Sequence, residues 1–170
     1  MRQISSRRIA RAVADLAVEV NRVLPRQTVS LLRSAAERER EPHARRYLHV
    51  ILENLRVSRR LKLPICQDTG MFTVFVRVGP KVCLRLPEGE TLRDAISAGI
   101  VAGSREGLLR PSVVTPLDRK NTGTNAPAVV HLLPAGGDLC EVTVMAKGFG
   151  SENMGRTAML SPGAGCDGVE

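Results

Sequence analysis

The chain has 170 residues, 43% hydrophobic and 25% charged, which suits one domain with an adequate core of its own. Its net charge of +8 is uneven: residues 1–62 hold 15 Lys/Arg against 6 Asp/Glu, and residues 63–170 hold 10 against 11. With one Tyr, three Phe and no Trp, stacking platforms for single strands are nearly absent, so nucleic-acid binding through the basic region ranks last among the functions considered. The bland reading of that region is a solvated, Arg-rich helical face, or one that meets an acidic partner.

In chain order, Met1–Arg11 carries four Arg and no acid, a transit-peptide-like composition. Asp15 and Glu19 interrupt it, and Ile9, Val13, Leu16 and Val20 keep one helical face apolar, which favours an ordinary first helix. Pro25 ends that pattern. A second helix is expected over about Thr28–Glu39, with Pro42 as the next break, and a third carries Leu48, Ile51, Leu52 and Leu55 at i, i+3, i+4 and i+7. Residues 1–62 therefore read as a helical N-terminal region throughout.

The character changes at Leu63-Pro64. Met71–Val78 is β-branched and aromatic, Gly79-Pro80 punctuates it, and Val82–Leu86 alternates, so a hairpin is expected. Thr91 with Asp94 resembles a capping box that opens a helix running to about Gly107. Arg110–Asn125 reads as loop. Ala126–Leu133 and Leu139–Ala146 read as strands joined across Pro134–Asp138, with Cys140 sharing the core face of Val142, Val144 and Ala146. Helices first and strands later predict an α+β fold, a helical region packed on a small mixed or antiparallel sheet, with residues 63–170 carrying the sheet.

No apolar run approaches the roughly 20 residues of a membrane helix. The four cysteines are too sparse for a disulfide scaffold and lack the C-x-x-C spacing of a zinc site, so reduced thiols in a cytoplasmic setting are expected. His43 and His49 lack the spacing of paired helical ligands, and His131, inside a strand, reads as a satisfied core or surface residue.

Three loops concentrate small and polar residues. Pro64–Gly70 sets a thiol (Cys66), an amide (Gln67) and a carboxylate (Asp68) side by side: the thiolate can ligate metal, Asp68 can exchange a proton, and Gln67 can orient a bound oxygen. A turn with local Asp–backbone bonds explains the same residues equally well. Asn121–Asn125 is accounted for mostly by Asx and Ser/Thr turn chemistry. Lys147–Asn153 leaves a strand and is expected to open a helix, and its glycines let backbone N–H groups approach an anion. The lysine precedes the glycines, the wrong order for a P-loop, so a small carboxylate fits better than a nucleotide.

PICQDTG (64–70), NTGTNAP (121–127) and KGFGSENM (147–154), in this order and with Ile51–Asn54 upstream and Pro162-Gly163 downstream, resemble the iron–sulfur hydro-lyases: class I fumarate hydratases and the similar L(+)-tartrate dehydratases. The resemblance covers about residues 5–169. It implies a [4Fe-4S] cluster held by three cysteines, with one iron open to act as a Lewis acid on a 2-hydroxy dicarboxylate. Cys66 matches the first cluster ligand. Gln67 and Asp68 match substrate-contacting residues, with Asp68 the candidate acid/base. Arg110 matches an arginine that clamps a substrate carboxylate, and Gly150 a glycine whose N–H faces the substrate.

The other two cluster cysteines of that family lie in segments that do not occur in this sequence, and Cys83, Cys140 and Cys166 stand outside ligand motifs. The expectation is thus the N-terminal part of an α subunit, inactive alone, with the remaining ligands supplied elsewhere and with a β subunit or C-terminal domain as partner in a homo- or hetero-oligomer. The expected reaction is reversible hydration of fumarate to L-malate. Dehydration of L(+)-tartrate to oxaloacetate is the alternative, and a non-catalytic residual fragment a third reading.

Overall fold

The computed structural model describes residues 1–150 and 155–168. Its fold is α+β: β1 (Arg2–Ser5), α1 (Ser6–Val20), α2 (Arg26–Arg38), α3 (Pro42–Leu61), β2 (Met71–Val78), β3 (Val82–Arg85), α4 (Leu92–Glu106), β4 (Val129–Pro134) and β5 (Cys140–Lys147).

The helices begin where local chemistry favours it. The Ser5 side chain accepts from the Arg8 N–H, Pro42 occupies the first turn of α3, and Thr91 and Asp94 form a reciprocal capping box at α4. Ile9, Val13, Ala14 and Ala17 form the buried face of α1, which packs on Ala95, Ile96, Gly99, Ile100 and Gly103 of α4. The two backbones come close because α4 presents glycines: a Cβ on Gly99 would stand 2.5 Å from the Ala10 carbonyl oxygen, and one on Gly103 2.6 Å from that of Ala14.

A three-stranded sheet, β4-β2-β5, supplies the other side of the core, with β4 parallel and β5 antiparallel to β2. Phe72, Val74 and Val76 of β2 are fully buried, and Val144 of β5 joins them with Ile96 and Ile100. Each such side chain contributes about 1.5–3 kcal/mol by leaving water. Cys140 is half-buried at the margin of this cluster, on the face it was expected to share.

Three expectations are corrected. Residues 1–62 are not helical throughout, because Arg2–Ser5 is a strand whose Ile4 is buried and which pairs in parallel with β3. The hairpin of β2 with β3 does not form. Both edges of β2 are occupied, and the turn between the two strands bonds elsewhere, Gly79 N–H to the Leu139 carbonyl and Lys81 N–H to that of Gly137. Nor are β4 and β5 neighbours, since β2 lies between them.

The α2–α3 pair packs mainly on itself, and its seam is half-buried at Leu48, Leu52 and Leu55, whereas Ile51 points outward at 43% exposure. The Lys147–Asn153 loop is expected to open a helix: residues 151–153 lie outside the described residues, and residues 155–168 hold no helix. Among the described residues no helix is long and apolar enough to cross a membrane.

Candidate active site at one end of the sheet

Strand direction determines which loops meet. Pro64–Gly70 enters β2, and because β5 is antiparallel with Met71 opposite Lys147, the residues leaving β5 emerge beside it. β4 is parallel to β2 with Val129 opposite Thr73, so the segment after Asn121 enters the sheet at the same end. All three motif loops therefore share that end.

The first and third loops touch. The Gly150 N–H donates to Asp68 Oδ2 at 2.8 Å, and the Asp68 N–H donates to Cys66 Sγ at 3.4 Å. Gly70, at φ +69°, lies so close to β5 that a Cβ would fall 1.8 Å from the Lys147 carbonyl oxygen. Cys66 and Gln67 are exposed, Asp68 is half-buried, and Thr69 is buried with its hydroxyl lacking a partner. The preceding backbone is clamped from two helices: the Ile65 N–H donates to the Asn21 carbonyl at 2.8 Å, and Asn54 Nδ2 donates to the Ile65 carbonyl at 2.9 Å.

Arg110 is exposed just past the end of α4, and its guanidinium makes no ion pair among the described residues. Its neighbours tie it to the second loop. The Ser112 N–H donates to Asn125 Oδ1 at 2.8 Å, Asn125 Nδ2 to Ser104 Oγ at 3.1 Å, and Asn121 Nδ2 to the Pro111 carbonyl at 3.1 Å. The structure thus joins Cys66, Asp68 and Gly150 directly, with Gln67 between the first two, and ties Arg110 to the neighbouring loop without contact between its guanidinium and Asp68.

Sequence reasoning missed two positioning residues. Asn125 is fully buried and crosses from loop to helix, although locally it reads as turn chemistry. Asn54 holds the loop before Cys66; its signal was the Ile51–Asn54 segment. His131 is exposed and stacks on Phe75 with ring centroids 4.8 Å apart, on the sheet face away from the core.

An iron–sulfur cluster needs several soft donors gathered around one space. Cys66 offers an exposed soft sulfur beside a backbone N–H, which suits one ligand position. Cys140 pairs with Val78 at the far end of the sheet and Cys83 follows the turn at that same end, so neither reaches Cys66. Among the described residues no three His, Cys, Asp or Glu gather to hold a metal. These residues fit one corner of a cluster and not the whole of it.

A thiol, an amide, a carboxylate and a glycine N–H thus stand together at one sheet end, with an arginine on the adjoining loop. The chain belongs to the family described as Fumarate hydratase (Fumerase), which it matches over residues 10–170. A Methanocaldococcus jannaschii protein provisionally named L(+)-tartrate dehydratase subunit alpha is 31% identical over 93% of this chain and 58% of its own length. The L(+)-tartrate dehydratase alpha subunits of Escherichia coli strains UTI89 and K12 are 27% and 26% identical over 99% of this chain and 55% of theirs. The chain thus spans little more than half the length of these curated relatives.

Proposed function

We propose that this chain supplies the α part of an iron–sulfur hydro-lyase that interconverts fumarate and L-malate, with further cluster ligands and a β subunit or C-terminal domain completing the site. The observation that carries this reading is the Asp68–Gly150 hydrogen bond of 2.8 Å, which sets a carboxylate, a backbone donor and the Cys66 loop together at one sheet end. Four free thiols, two of them exposed, suit a reducing cytoplasm.

In this reading Cys66 is one ligand of a [4Fe-4S] cluster. When bound, the cluster supplies a Lewis acid for the substrate hydroxyl and carboxylate. The chain's own residues do the rest. Gly150 N–H, here bonded to Asp68, can turn to a substrate carboxylate and release Asp68 to accept or return a proton. Gln67, both donor and acceptor, orients the departing or entering oxygen. Arg110 presents a planar fork suited to the distal carboxylate.

The relatives named as L(+)-tartrate dehydratase subunits favour a second reading, dehydration of tartrate to oxaloacetate by the same groups. One experiment addresses both: purify the chain anaerobically with its partners from its own cells, and assay fumarate and L(+)-tartrate side by side. Turnover of one diacid, with Asp68→Asn lowering kcat by about 100-fold or more, is expected from loss of general acid/base catalysis. Turnover of neither, or full activity in Asp68→Asn, overturns the proposal.

A further inference from the structure

A cavity of about 1000 Å³ lies between the end of α1 and the α2–α3 pair, and no residue of the three motif loops lines it. Six arginines line it, Arg22, Arg26, Arg33, Arg56, Arg59 and Arg60, against the single carboxylate of Glu19. Arg56 is engaged by Glu53, and Arg22 donates to the Glu106 and Gly107 carbonyls, yet its buried Nε lacks a partner. Arg26, Arg33, Arg59 and Arg60 make no ion pair among the described residues. α2 starts at the cavity with Pro25 at its cap, no side-chain capping bond and no acid in its first turn, so its N–H groups and dipole add to the positive field. Val23, Leu24, Val29, Leu52 and Leu55 contribute apolar wall.

Like charges around one partly enclosed space repel one another, and a multiply charged anion relieves that repulsion while meeting guanidinium forks. The same helices hold the candidate active-site loop. Asn21, next to Arg22, accepts from the Ile65 N–H, and Ser58, next to Arg59, accepts from the Leu63 N–H and donates to the Leu63 and Arg22 carbonyls. Drawing α1 and α3 together around an anion therefore tightens the segment that leads into Cys66.

We propose that this arginine-lined cavity is a binding site for a compact, multiply charged anion, phosphate-rich or polycarboxylate, whose occupancy stiffens the Leu63–Ile65 segment ahead of Cys66. Its consequence for catalysis rests on the functional reading above, whereas binding and stiffening are measured without turnover, so the two can fail separately.

The test is titration of the full chain with inorganic tripolyphosphate and, in a parallel arm, with citrate, followed by amide hydrogen exchange at Leu63 and Ile65. Saturable binding of one anion per chain is expected, at least tenfold weaker in Arg33→Ala/Arg59→Ala and unchanged in Arg45→Ala/Arg46→Ala, which removes the same number of charges outside the cavity. All four side chains are on exposed helix positions, so the variants are expected to fold, and circular dichroism checks that they do. The preferred arm identifies the ligand as phosphate-rich or polycarboxylate. Exchange at Leu63 and Ile65 is expected to slow severalfold on binding. Non-saturable binding, equal loss in the two double variants, or unchanged exchange in the bound state overturns the proposal.

Discussion

Gly70→Ala isolates the contact on which the candidate site depends. Gly70 stands at φ +69°, and an added Cβ would meet the Lys147 carbonyl oxygen at 1.8 Å and the Gly148 Cα at 2.5 Å, all backbone atoms that cannot swing aside. The left-handed conformation costs an L-residue about 1–2 kcal/mol. Displacing the first β2–β5 pair adds about 1–3 kcal/mol, as for other overpacked sites. A loss of about 3 kcal/mol lowers Tm by roughly 6–12 °C in a chain of this size. Gly89→Ala is the matched control: its φ is +77°, but nothing lies within 4 Å, so only the conformational cost applies. Part of that cost is offset by about 0.4–1 kcal/mol of unfolded-state entropy in either variant. Thermal and urea unfolding of the two variants and the parent chain give the difference directly. Equal shifts for Gly70→Ala and Gly89→Ala would refute the argument that the loops are held by backbone contact.

In the partnered enzyme, Cys66→Ser is expected to lower iron and acid-labile sulfide content, because a hard hydroxyl replaces a soft thiolate; full iron content would remove Cys66 from the ligand set. Asn125→Ala removes a fully buried side chain, leaving the part-buried Ser112 N–H without its acceptor and the buried Ser104 hydroxyl without its donor, and a loss of about 2–3 kcal/mol is expected in urea unfolding, with a change below about 0.5 kcal/mol counting against it. Bonds from the hydroxyl and backbone N–H of Thr91 hold the Asp94 carboxyl below its ordinary value of 3.8. A depressed carboxyl pKa gives stability that is present above the unfolded value and lost as pH falls through the folded one. Asp94→Asn should therefore flatten the pH dependence of unfolding below about pH 4, and an unaltered acid limb would assign that limb to other carboxylates.

How far the sequence revealed this molecule depended on the range of the interactions. Pro25, Pro42 and the Thr91/Asp94 pair act within one helical turn, and the helix boundaries near them agree with the periodicity. β1 was invisible because its four residues bury one side chain, Ile4, and its partner Leu84 lies 80 positions away. The β2–β3 hairpin looked sound locally, but nothing in Met71–Val78 shows that both of its edges are already occupied. Ile51 fits the helical period and still points outward, because α3 packs mainly on α2 along a narrow seam. At the site, each loop was ambiguous by itself. The bond from Gly150 to Asp68 spans 82 residues, and without the family resemblance no spacing rule would have joined them. Asn125 misled for the opposite reason: a residue type that explains a turn locally also makes a buried long-range bridge.

The order of the sheet explains why stability and site geometry cannot be separated here. A loop entering β2, one entering β4 and one leaving β5 meet at one end only because β4 runs parallel and β5 antiparallel to β2. Register then fixes the distances. A slip of β5 by one residue would carry Gly150 about 3.3 Å along the strand direction, enough to break its bond to Asp68. The same slip would turn Val142, Val144 and Ala146 away from Phe72, Val74 and Val76 and expose an apolar face. The burial that stabilises the sheet is therefore also what holds Asp68 against Gly150. A substitution that weakens the β5 core face should loosen the site before it unfolds the chain.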